Sequence, residues 1–180
     1  MNIFDRFLED DLLGVRFALN VFIATAVTWV LLRLVSDLNP IWAIASMIAS
    51  SDPVWLQAKR TFRGRILNAA IGCLVGLLFL VVGGPKEWTM PIALALTVLL
   101  STYVVRIPVM WRQAPITAAI VIASGAAHHS RIWGIEHGLL KVAEVIFGCL
   151  VGITVSWVMS KTWPVAPPGI RTQAPPKPGG

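Results

Sequence analysis

Four stretches of this chain, 15–35, 66–84, 88–105 and 142–160, are mainly apolar over nearly the full width of a lipid bilayer. A helix that crosses the hydrocarbon needs about 20 such residues, with a range of roughly 17–25. Inside lipid every backbone N–H and C=O must find a partner within the chain, so these stretches are expected to be helices. Two shorter apolar stretches lie between them, at 40–51 and 114–127. The first begins at Pro40 and stops before Asp52-Pro53; the second begins at Pro115 and stops before His128-His129. Their length suits either re-entrant segments or tightly packed spans. The predicted fold is all-α: a polytopic membrane protein of about six transmembrane helices.

Composition excludes the competing classes. Hydrophobic residues make up 56% of the 180 residues and charged residues 13%, against about 25% charged in soluble domains. Mean hydropathy is +0.74. A soluble domain of this size cannot hide that much apolar surface from water, which argues against a soluble enzyme and against a disordered chain. The formal net charge of +6 reads as topology rather than nucleic-acid binding, because cytoplasmic loops of membrane proteins collect Lys and Arg. With both termini inside, eleven of the 15 basic residues face the cytoplasm and four (Arg33, Lys86, Arg131, Lys141) face outward. Five of the eight tryptophans (Trp55, Trp88, Trp111, Trp133, Trp163) stand near span ends, where amphipathic rings prefer to sit.

The flanks differ from the core. Residues 1–13 are acidic, and no small-residue cleavage site follows a short apolar core, so no signal peptide is expected. Ile3, Phe4, Phe7 and Leu8 share a helical face, which suits a surface helix or a solvated lead-in. Residues 162–180 hold half of the 12 prolines and are expected to form a disordered cytoplasmic tail. The membrane domain is bounded at 14–161.

That domain carries an internal echo. Gly72-Cys73-Leu74-Val75-Gly76 recurs as Gly148-Cys149-Leu150-Val151-Gly152, and Asn68 matches Glu144 at the same spacing. Pro40-Ile41 and Pro115-Ile116 open corresponding short segments. Two repeats, 14–84 and 88–160, each hold three spans. Three is odd, so the second copy must be inverted relative to the first, as in many transporters whose halves exchange conformations. A static bundle left by gene duplication is the competing reading.

No enzyme motif is present: Ser124-Gly125 lacks a nucleophile elbow, and His128, His129 and His137 lack metal-ligand spacing. No catalytic residue, metal or cofactor is expected. Cys73 and Cys149 read as small packing residues. Gly72, Gly76, Gly148 and Gly152 provide faces on which membrane helices approach closely, within one chain or between chains. Proline-started short segments in corresponding positions point to a transporter's binding site, here Trp42 and Ser46 in the first and Thr117 in the second, with Pro40 and Pro115 as pathway or gating residues. Asn68 and Glu144 are polar candidates within spans. The densest basic stretch, Lys59 to Arg65, lies on the expected cytoplasmic side. There Arg63 and Arg65, joined by Arg106 and Arg112, can gather an anion besides setting topology. Glu144, near the outer end, would disfavour anion re-entry.

Several of these segments resemble the fusaric acid resistance family, also called aromatic acid exporters. They are Val15-Arg16-Phe17-Ala18-Leu19, Asn39-Pro40-Ile41-Trp42-Ala43, the stretch from Arg63-Gly64-Arg65 to Gly72, and Pro115-Ile116-Thr117-Ala118-Ala119-Ile120-Val121. The third is similar to the family's Arg-x-x-Gly-Thr-x-x-Gly, with Asn68 and Ala69 in place of Gly and Thr. The resemblance implies an inner-membrane six-helix bundle that exports small organic anions, aromatic carboxylates among them. Larger members carry a soluble cytoplasmic domain, and many carry two membrane halves. This chain has neither, which implies a homo-oligomer, with a periplasmic adaptor as a further expected partner. The plant malate channels resemble this domain as well, so an anion channel is the alternative; a non-transporting accessory subunit is a third.

Overall fold

The computed structural model describes residues 3–35, 40–105 and 113–163. Arg106, Arg112 and the tail beyond Trp163 lie outside the described residues. Among the described residues six α-helices follow one another: α1 Ile3–Val35, α2 Ile41–Ser50, α3 Trp55–Gly83, α4 Met90–Leu100, α5 Ala114–Ala127 and α6 Arg131–Thr162. A single 3-10 turn, Glu87–Thr89, leads into α4, and a wider π-helical turn, Ser101–Val105, prolongs it. No strand occurs among the described residues. The protein is an all-α polytopic membrane protein.

Among the described residues four helical stretches are long and apolar enough to cross a membrane: Gly14–Leu34, Trp55–Gly83, Glu87–Val104 and Arg131–Thr162. The second and fourth apolar runs seen in the sequence keep their identity, but α3 and α6 begin about three turns earlier than hydropathy suggests. The reason is helical phase. Lys59, Arg60 and Arg63 stand on the exposed side of α3, so a basic stretch read as a loop continues the helix. The lead-in, too, is continuous with the first span in α1.

The surface is apolar and the interior small and polar. Phe22, Leu34, Leu74, Val82 and Val104 are exposed, while Ala24, Ala43, Ala69, Ala93, Ala114 and Ala118 are buried. That inversion follows from lipid, which offers no hydrophobic drive to association and rewards close backbone contact instead. The glycine pairs supply it within one chain. A Cβ on Gly72 would overlap the Ala114 carbonyl oxygen, and one on Gly76 would crowd Ala118 and Val121. On the other side, Gly148 faces the Ala43 backbone and Gly152 faces Met47 and Ser50. So α3 packs its glycines on α5, and α6 packs its glycines on α2, a reciprocal arrangement.

These contacts fix helix directions. Along α3 and α5 residue numbers rise together, since Gly72 meets Ala114 and Leu80 meets Gly125. Along α2 and α6 they also rise together, since Ala43 meets Gly148 and Met47 meets Gly152. Helices α3 and α6 run oppositely: Cys73 clusters with Val142, and Leu80 meets Gly134. Hence α2 and α5 point in opposite directions. Gly72 is near the middle of α3 and Gly148 near the middle of α6. Both short helices therefore begin at the mid-depth of the bundle, α2 running toward the end where α3 begins and α5 toward the end where α3 stops.

The α2–α3 turn contains one titratable group of interest. The Val54 N–H donates to Asp52 Oδ1 at 2.8 Å, but partial burial outweighs that bond and pushes the Asp52 carboxyl above its ordinary 3.8. A carboxyl raised in the fold contributes most below its unfolded value, and that contribution is lost as pH rises through the folded value. Asp52→Asn keeps an acceptor for Val54 and removes the charge. It should raise the Tm at pH 7 and leave it unchanged below about pH 4, measured by thermal unfolding in detergent.

Candidate anion site at mid-depth

Arg65 occupies the inward face of α3 and is 7% exposed. Trp55 opens the helix ten residues earlier, about 15 Å along the axis, which puts the guanidinium well inside the span. Nη1 donates to Gln113 Oε1 at 2.9 Å and Nη2 donates to Ser46 Oγ at 3.1 Å. The same side chain thus ties α3 to α2 and to the residue that opens α5. Cys149 of α6 lies beside Arg65, with its Sγ 3.8 Å from the Ser46 carbonyl oxygen. Among the described residues Nε has no hydrogen-bond partner, nor does the buried Thr117 Oγ1 on the neighbouring α5. No carboxylate among the described residues pairs with Arg65.

A cation taken from water into such a place loses several kcal/mol of hydration after relaxation. Two neutral acceptors return only part of that. The short helices add field of the same sign. At α2 the N-cap is Pro40 and at α5 it is Gln113, and neither end carries a side-chain cap. A helix N-terminus carries roughly half a positive charge, and here two of them begin at the depth of the buried guanidinium. Proline suits those positions because its missing N–H costs no helical bond.

The other sequence candidates are spread around this centre. Ser46, on the second turn of α2, and Thr117, on the first turn of α5, are both buried. Trp42, on the first turn of α2, is 39% exposed. Asn68 is one turn above Arg65 and accepts from the Ser101 hydroxyl, at the start of the π-helical turn. Arg63 is exposed; two residues from Arg65, it is turned about 200° around the helix. Glu144 is buried but accepts from Lys141 Nζ at 2.9 and 3.1 Å, so its charge is balanced locally. Pro40 and Pro115 stand at the two helix starts. Gln113 and Cys149 join the site without having been singled out as binding residues, because their roles depend on tertiary contacts. Among the described residues no His/Cys/Asp/Glu group has metal-site geometry.

What the arrangement can do is hold a small anion reversibly. The charge is fixed, the guanidinium Nε–H is open among the described residues, and hydroxyls and an amide surround it. No curated protein and no solved structure matches the chain. A sequence model described as fusaric acid resistance protein-like matches residues 23–155. That match runs from the first span to the last turns of α6 and includes Arg65, Ser46, Gln113 and Thr117. The chain belongs to the fusaric acid resistance protein-like family, a family of membrane transport proteins.

Proposed function

We propose that the protein exports small organic anions, aromatic carboxylates in particular, across the bacterial inner membrane, with both termini in the cytoplasm. The observation that carries this reading is Arg65, a buried cation bonded to neutral groups and placed where two uncapped helix starts meet. A carboxylate at the open Nε would complete the guanidinium's bonding, and Ser46, Thr117 and Gln113 would orient it. Trp42, exposed at the α2 start, offers an aromatic face to a ring. Exposed Arg63 would raise the local anion concentration at the mouth, with Arg106 and Arg112 assisting.

Two inverted halves supply a route to alternating access. In one state α2 closes the site on its side; exchange of the halves would close it with α5. Arg65 bonds to both short helices, so an anion that draws its guanidinium away loosens both at once. A homodimer would provide the two membrane halves seen in larger family members.

Purified protein in liposomes tests the proposal. Saturable uptake of a radiolabelled aromatic carboxylate, driven by its gradient, is the expected result. Single-channel currents would instead identify a channel, and absence of flux with folded protein would identify an accessory subunit. Cross-linking in native membranes should trap at least a dimer; a monomer that transports would remove the two-copy feature.

A further inference from the structure

A second buried cation lies apart from the Arg65 centre. Helix α1 touches the bundle along one stripe, Arg16, Asn20, Ala24, Thr28 and Leu32, each four residues from the next. The first two members are polar and 1% exposed. Arg16 Nη2 donates to the Met159 carbonyl of α6 at 3.3 Å. That oxygen already accepts the Trp163 N–H at 2.9 Å. Arg16 Nε and Nη1 have no partner among the described residues. One turn on, Asn20 Nδ2 donates to Ser156 Oγ at 3.1 Å, while Asn20 Oδ1 has no donor among the described residues.

A water can satisfy a neutral amide, but a buried arginine at the entrance of a span, two residues inside Gly14–Leu34, is better matched by negative charge nearby. The missing partner must therefore offer charged acceptor oxygens to Arg16 and a donor to Asn20 about one helical turn, ~6 Å, away. The flanks add a third requirement. Val15, Leu19 and Phe22 of α1 and Trp157 and Val158 of α6 are exposed and apolar, so a ligand here must tolerate or supply hydrocarbon. A free carboxylate or inorganic phosphate meets only the first requirement. A glycerophospholipid whose phosphate bears a second glycerol meets all three.

We propose that Arg16 and Asn20 hold the headgroup of one such anionic phospholipid, in the leaflet at the end of the bundle where α6 stops. The phosphate oxygens accept from Arg16 Nε and Nη1, and the terminal glycerol hydroxyl donates to Asn20 Oδ1. The acyl chains lie along the exposed flanks of α1 and α6. Because α1 is held by a single stripe, it can lean away from α6 to admit the headgroup. The site is independent of the transport reading.

Native mass spectrometry of the full chain in detergent tests this, using phosphatidylglycerol, phosphatidic acid and phosphatidylcholine as probes. The wild type should carry phosphatidylglycerol at about tenfold higher occupancy than phosphatidylcholine, the size of one charge-assisted contact. Arg16→Gln should lose that preference, and Arg131→Gln, at the opposite end, should keep it. Asn20→Leu should still prefer anionic lipid but no longer favour phosphatidylglycerol over phosphatidic acid. Circular dichroism checks that each variant folds. If Arg16→Gln does not fold, the Asn20→Leu comparison decides: an unchanged headgroup preference overturns the proposal. Unchanged phosphatidylglycerol occupancy in folded Arg16→Gln also overturns it. So does equal thermal stabilisation by inorganic phosphate alone, which would make the site one for a free anion.

Discussion

Arg65→Met should cut transport about 10- to 100-fold while leaving the purified protein as stable as the wild type or more so. The loss follows from removing the charge at the centre, since a hydrogen bond to a charged group contributes roughly 1.5–3 kcal/mol and each 1.4 kcal/mol is about tenfold. The stability expectation has a different origin. Replacing buried ionic groups by apolar side chains of similar volume is often neutral or stabilising by about 1–4 kcal/mol when no partner charge is left behind, and Arg65 has no partner carboxylate among the described residues. Ser46 can then bond back to a carbonyl of its own helix. Arg65→Lys should fall between, because an ammonium keeps the charge but cannot span both Gln113 and Ser46 in a planar fork. Lys177→Gln, in the proline-rich stretch after the last span, should transport normally. Flux into liposomes and thermal unfolding, run on the same preparations, read the two effects separately. Unchanged flux in Arg65→Met would remove Arg65 from the pathway; a large loss of Tm together with lost flux would make it a structural residue.

Gly148→Ala should be the most damaging single-methyl change in the bundle. The added Cβ would sit 2.7 Å from the Ala43 carbonyl carbon and 2.9 Å from its Cα, besides overlapping the carbonyl oxygen. All three are backbone atoms, so no rotamer change relieves the clash, and α2 must move off α6. Overpacking typically costs about 1–3 kcal/mol, more where the surroundings cannot yield, and about 3 kcal/mol or above is expected here. Gly14→Ala is the matched control. Nothing lies within 4 Å of its Cβ position, and alanine's better helix propensity should give a gain of up to about 1 kcal/mol. Thermal unfolding in bicelles measures both. A Gly148→Ala Tm equal to the wild type would show that the α2–α6 contact is loose.

Much of this architecture is written in local sequence. The four long runs have the length and polarity that lipid demands, and the paired Gly-x-x-x-Gly segments announce close helix contact before any coordinates. The two prolines that start short apolar segments also mark the helix starts near Arg65. The boundaries of α3 and α6 were harder to read. Hydropathy averages over a turn, whereas the fold sorts Arg63 outward and Arg65 inward by a phase difference of about 200°. The same averaging conceals Arg16, which looks like an ordinary basic residue at a span entrance until α6 is seen to cover it. Pairings such as Asn68 with Ser101 or Arg65 with Gln113 join residues on different helices, and no short-range pattern encodes them.

The unpaired charge of Arg65 has an electrical consequence. When empty, the site holds one positive charge within the membrane; with a monovalent carboxylate bound, it is neutral. A neutral complex crosses the field without electrical work, whereas moving one elementary charge through the full field takes about 2.3 kcal/mol per 100 mV. A voltage that is negative inside therefore acts on the empty form and not on the loaded one. In the proposed export cycle it would favour the cytoplasm-facing state of the vacant site, so that the step it would drive is the return of the empty carrier.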